Sequence, residues 1–182
     1  MKRTSLVIAT ALFMSVPVCG DLWAQAATSG ASPVVQDPIS DQDFFTKASS
    51  DGADEVAMGQ LAMQKAASLQ TRAFAQQLVK DHTAANKELA ALANRKHATV
   101  VQQPPSSDLM DRLQSLKGND FDKAYATAMV GGHQKAIELF DAASHSNDPD
   151  VKAFATRTLP TLKHHLAMAQ ALNGDSPPMG AP

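Results

Sequence analysis

Four stretches of this chain repeat one constraint. Small or apolar residues recur in alternating steps of three and four, the spacing of a buried helix seam. The first seam reads Phe45, Ala48, Gly52, Glu55, Gly59, Ala62, Ala66, and the second Ala75, Leu78, His82, Ala85, Leu89, Leu92. The third reads Ala126, Met129, His133, Ala136, Phe140, Ala143, and the fourth Val151, Ala155, Thr158, Leu162, His165, Ala169, Leu172. Four amphipathic stripes must bury one another, and a four-helix bundle does so.

The punctuation supports this reading. Ser40 or Asp41 caps a first helix running to about Ser68, and a second runs from about Gln70 to His97. Pro104-Pro105 then forbids helix, and Asp108 to Leu116 reads as a short extra helix closed by Gly118. A third long helix starts at Asn119 or Asp120 and ends near His145, with Asp120 and Asp122 as caps. Asp148 and Pro149 open a fourth, which ends near Leu172 and carries Pro160 inside it, where a kink is expected. Arg72-Ala-Phe-Ala75 echoes Lys152-Ala-Phe-Ala155, and each precedes an inner histidine, as in two related hairpins. The expected fold is all-α: a ferritin-like four-helix bundle whose long crossover carries the short helix. The direction of the third helix stays open.

Each seam holds one ionisable residue: Glu55, His82, His133 and His165. Val56 competes with Glu55 for the inward position. All four stand about 13 to 17 residues from a hairpin turn, which at about 1.5 Å per residue is roughly 19–26 Å along helices about 40 Å long. They therefore share one level near mid-height. An isolated buried charge is expensive and a buried histidine needs partners. A metal ion held by Glu55, His82, His133 and His165 meets both needs, with Asp81, His164 and Thr161 close enough to support it. A metal-free polar cluster that fixes helix register meets them too, and both readings stand.

Three imidazoles and a carboxylate suit iron, zinc or copper. A ferritin-type di-iron centre wants Glu-x-x-His, but Val79 and Leu162 occupy the Glu positions before His82 and His165. Met129 and Met168, one turn from His133 and His165, offer sulfur to copper or simply fill the core. His97 and His145 fall at helix C-termini, and Tyr125 reads as a packed aromatic. Gly131-Gly132, and Gly59 on the Glu55 seam, let a neighbour approach closely at the cost of helix propensity. Neither a Ser-His-Asp set nor a phosphate-binding glycine loop occurs, so a binding protein is favoured over an enzyme.

The N-terminus reads as a secretory signal peptide over residues 1–26. Lys2 and Arg3 precede an apolar run from Ser5 to Val18, and Ala24-Gln25-Ala26 directs cleavage after Ala26. A lipoprotein through Cys19 fits less well, because Val18 stands where a small residue is wanted. Residues 27–40 then form a flexible leader, 41–172 the bundle and 173–182 a disordered tail. Cleavage removes the single cysteine and moves the formal charge from −2 to −3, by taking away two cations and one anion. No disulfide remains, so the bundle stands on its core. Without a basic excess nucleic acid is not expected as a partner, and no transmembrane segment remains after cleavage. A protein partner or a homo-oligomer stays open.

The stretches "FFTKASSDGADEVAMGQLAMQKAASLQTRAFAQQLVKDHTAANKELAALA", "FDKAYATAMVGGHQKAIELFDAAS" and "DVKAFATRTLPTLKHHLAMAQAL" resemble, in order and spacing, the bacterial domain-of-unknown-function family 4142. The resemblance covers residues 42–172 and implies an exported, ferritin-like bundle without naming an activity. The family pattern includes Glu55-Val56, Asp81-His82, His133 and a last histidine matching His165. Where the family often has Glu, this chain has His164, which tilts the site towards nitrogen ligands. The leading expectation is a periplasmic protein that binds a transition metal at Glu55, His82, His133 and His165, with Asp81 and His164 behind them, in envelope stress or metal handling. The alternative is a metal-free helical interaction module.

Overall fold

A computed structural model describes residues 39–100 and 107–174. The signal segment, most of the leader, the Pro104-Pro105 break within residues 101–106, and residues 175–182 lie outside the described residues. Five helices follow in order: α1 (Asp41–Lys65), α2 (Leu69–Arg95), α3 (Ser107–Ser115), α4 (Gly118–Ala143) and α5 (Pro149–Asn173). The caps are local and chemical. Ser40 Oγ accepts from Asp43 N, Ser68 Oγ from Gln70 N and Thr71 N, and Asp148 from Asp150 N and Val151 N. Gly174 closes α5 at a φ of 80°, and α5 runs through Pro160 unbroken.

Several boundaries differ from the sequence reading by one to three residues, and two of them have a clear physical reason. α1 stops at Lys65, because Ala66 to Ser68 must form the turn that lets Ser68 cap α2. α4 starts at Gly118 itself, whose φ of 60° lies in the left-handed region that favours glycine, so the residue expected only to close α3 is also the first of α4. Asp122 does not cap its own helix. Its carboxylate accepts from Ala67 N at 3.1 Å and Ser68 N at 2.7 Å, so it ties the α1–α2 turn to α4, whose own start has no side-chain cap.

These contacts fix the direction of α4. Its start lies at the α1–α2 turn, whereas its end meets the start of α1: Phe44 and Phe140 pack edge-on, 5.1 Å between centroids, and Ser146 Oγ donates to Asp41. Lys96 at the end of α2 lies 2.7 Å from both Asp148 and Asp150 at the start of α5. The order is therefore up, down, down, up, and the connection from α2 to α4 spans the bundle's length. This is the ferritin-like arrangement, with α3 riding on the crossover. Leu113 of α3 is fully buried against the end of the bundle that holds the α1–α2 turn.

The core falls into two apolar halves. Phe44, Phe45, Leu89, Leu92, Phe140 and Phe154 fill one, and Met58, Phe74, Leu78, Phe121, Tyr125 and Met129 the other. Each fully buried Phe or Leu contributes about 1.5–3 kcal/mol of apolar burial. Between the halves lies one polar layer.

Candidate metal centre

Glu55 of α1, His82 of α2, His133 of α4 and His165 of α5 form that layer. Their exposures are 4%, 7%, 0% and 0%, against an intermediate exposure for Val56, so Glu55 holds the inward position. The three imidazoles stand in a nearly equilateral triangle, with ring centroids 5.6 Å apart (His82–His133), 5.3 Å (His82–His165) and 5.4 Å (His133–His165). One nitrogen from each ring lies within 4.8 Å of the other two.

Hydrogen bonds fix where the protons sit. His133 Nδ1 is 2.9 Å from the Met129 carbonyl oxygen, which can only accept, so Nδ1 carries the proton. His133 Nε2 is then a bare lone pair, and it is buried with no hydrogen-bond partner. His165 Nε2 donates to Asp81 Oδ2 at 3.1 Å, leaving Nδ1 bare, buried and equally unpartnered. Asp81 is itself held by Gln77, whose amide donates to the same oxygen at 2.6 Å. His82 Nε2 lies 2.9 Å from Glu55 Oε2 but off the direction of an N–H···O bond, so their contact is one of charge and distance. Glu55 Oε1 lies 3.3 Å from His133 Nδ1.

The electrostatics agree. Burial pushes the His133 pKa down, against the pull of Glu55 and the Met129 carbonyl. Burial, helped by the neighbouring His82 and His133, pushes His165 down to about 4, with Asp81 opposing. Burial works to raise Glu55 and Asp81, but the close His82 ring and the neighbouring imidazoles outweigh it at Glu55, and the hydrogen bonds from Gln77 and His165 at Asp81, holding both below the ordinary carboxylate range. At neutral pH Glu55 in the layer and Asp81 behind it are thus ionised, and His133 and His165 are neutral rings with free lone pairs.

An unsatisfied buried polar atom costs about 1–3 kcal/mol. Two such nitrogens, orphaned on neighbouring rings and oriented by a carbonyl and a carboxylate from behind, match what a cation asks of imidazole ligands. The residues present therefore fit a transition metal ion. Gly132 makes room for the carboxylate: a Cβ there would stand 3.1 Å from Glu55 Oε1. Gly131 faces open space, and a Cβ at Gly59 would stand 2.7 Å from Val79 Cγ2, so Gly59 serves the α1–α2 approach.

Not every sequence candidate joins the layer. His164 is exposed, with its ring 6.4 Å from that of His165, because consecutive helix residues point about 100° apart. Thr161 is exposed at the lip of a neighbouring cavity. The Met129 and Met168 side chains pack in the core half around Tyr125. His145 is spent on the α4 C-terminus, where Nδ1 meets Asp141 O at 2.9 Å, and His97 takes a φ of 55° just past α2. The Gln77 brace and the Met129 carbonyl were missed, although both lie four residues before an anticipated residue, within helical reach.

The fold and site define a class: a ferritin-like helical bundle with a carboxylate–histidine layer at mid-core. Within it, the profile described as "Domain of unknown function (DUF4142)" matches residues 24–172, and the chain belongs to that family. Among solved structures, CopM in the Ag-bound form aligns with a TM-score of 0.65 at 17% identity, over 76% of this chain and 98% of that one. CopM in the Cu(I)-bound form gives 0.65 at 16% identity, over 75% and 97%. A DUF305 fragment from Deinococcus radiodurans gives 0.68 at 13% identity, over 76% and 99%. At these identities the likeness is one of fold. No curated protein matches the sequence.

Proposed function

We propose that this protein is an exported binder of a transition metal, copper before zinc or iron, held by His82, His133 and His165 with Glu55 as counter-charge. One observation carries the reading: His133 Nε2 and His165 Nδ1 are buried, proton-free and unpartnered on neighbouring rings. Imidazole suits copper, zinc and iron alike. Copper comes first because the similarly folded CopM is described in Ag-, Cu(I)- and Cu(II)-bound forms. The basic and apolar N-terminus supports export, and metal handling or envelope stress is the setting that export and a metal site together favour.

A second reading rests on the Glu55 contacts with His82 and His133. Those contacts could tie α1, α2 and α4 in register without any metal. Elemental analysis separates the two. Protein isolated without chelator from the periplasmic fraction of copper-supplemented cells is expected to carry about one copper per chain, and the His133→Ala variant little or none. Metal-free protein after challenge with copper, zinc and iron would leave the register reading.

A further inference from the structure

We propose that the metal ion enters through the slot between α2 and α5, past Ala85 and Thr158, and that the Asp81 carboxylate is the first group it meets. The inference rests on the metal-binding reading above. A cavity of about 30 Å³ lies beside the histidine layer, with Glu55, His82 and His165 on its inner wall. That is room for one water-sized body, which needs at least about 10–15 Å³. His165 lines it, fully buried and with Nδ1 unpartnered.

On one side the cavity is walled by α2 and α5. Ala85 and Thr158, both half-buried, and exposed Thr161 frame it with short side chains. Polar bars mark its two ends. The Gln77–Asp81 hydrogen bond lies one turn from Ala85 on one side, and the Glu88–Arg157 ion pair nearly one turn away on the other. Asp81 is half-buried at the lip, where its carboxylate offers oxygen to an arriving cation, and its hydrogen-bond partner His165 is the nearest ring. Lys80 acts on Asp81 only as its neighbour on the outer face, and Arg157 is paired. Asp51 on α1 marks the cavity's other rim, where Glu55, Asp54, Lys135 and Lys47 all act on that carboxylate; charge alone does not separate the two rims, and it is the Asp81–His165 hydrogen bond that leads from a rim directly to a ligand ring.

Stopped-flow mixing tests this. The full chain, freed of metal, takes Cu(II) from a fast-releasing chromophoric chelator, and the loss of the dye complex's colour gives the rate. Thr158→Trp and, on the exposed lip, Thr161→Trp are expected to slow uptake about tenfold while the equilibrium affinity stays within about threefold. Circular dichroism confirms that the helices are retained, and Thr161→Trp remains the test if the half-buried Thr158→Trp does not fold. Uptake unchanged in Thr161→Trp, or slowed instead by Asp51→Trp, would overturn the route while leaving the site. Failure of the wild-type protein to take up Cu(II) at all would overturn the metal reading itself, and the route with it.

Discussion

Asp81→Asn is the most informative single change, because it alters one charge and leaves the shape. In the wild-type chain Asp81 Oδ2 accepts from His165 Nε2 at 3.1 Å and from Gln77 Nε2 at 2.6 Å. An asparagine oxygen can accept from both, so the bundle keeps its packing. The bond to His165 loses its charge assistance, a drop from about 1.5–3 kcal/mol to about 0.5–1.5 kcal/mol. If the amide instead turns its nitrogen to His165, the ring must move its proton to Nδ1, and the nitrogen free for a metal disappears. Either way the ring becomes a poorer ligand, and affinity is expected to fall about ten- to hundredfold, the usual cost of losing such a supporting group. The chelated protein loses roughly 1 kcal/mol, a fall of about 3–5 °C in Tm for a domain of this size. Competition against a chromophoric chelator gives the first quantity and thermal unfolding in excess chelator the second. Unchanged affinity, with the helices intact, would refute the claim that Asp81 sets the tautomer of His165.

Gly132→Ala gains about 1 kcal/mol of helix propensity but sets a methyl 3.1 Å from Glu55 Oε1, so metal affinity should fall while the chelated Tm moves little; a titration showing wild-type affinity would count against Glu55 as counter-charge. Acid should destabilise the chelated protein. His165 titrates near 4 when folded and near its ordinary 6.5 when unfolded, so its contribution is complete above pH 6.5 and fades as pH falls towards 4. At about 1.4 kcal/mol per unit the loss reaches at most about 3–4 kcal/mol, read from urea midpoints, and a His165→Gln variant should show a shallower acid limb. Asp122→Ala strips the acceptor from Ala67 N and Ser68 N and should cost about 1–2 kcal/mol of stability with metal affinity untouched; an unchanged urea midpoint would show the tie to be idle.

The seams of three-and-four spacing were readable because burial imposes that period. All seven residues from Phe45 to Ala66 are buried, as are all six from Ala126 to Ala143. A single row understates the core, however. Phe44, Phe74, Tyr125 and Phe154 flank the seams and are nearly inaccessible, because a helix inside a bundle buries a stripe and not a line. Rise per residue placed Glu55, His82, His133 and His165 at one height, and the structure finds them there. Pitch cannot say which nitrogen of a ring is bare, since that depends on the Met129 carbonyl and on Asp81 reaching across from α2 to α5. Nor did it reveal that Asp122 serves another helix's turn, since a long-range acceptor looks like a local cap in sequence. The direction of α4 likewise waited for tertiary contacts such as Phe44–Phe140.

The central claim is that three imidazoles from three helices hold one metal ion. X-ray absorption on the protein loaded with copper and freed of excess metal tests it most directly, alongside the copper-to-protein ratio. The account predicts about one copper per chain, bound by imidazole nitrogen at about 2.0 Å, with both signals lost when His82, His133 and His165 are replaced together. Copper bound in equal amount after that replacement, or a first shell dominated by sulfur, would contradict it.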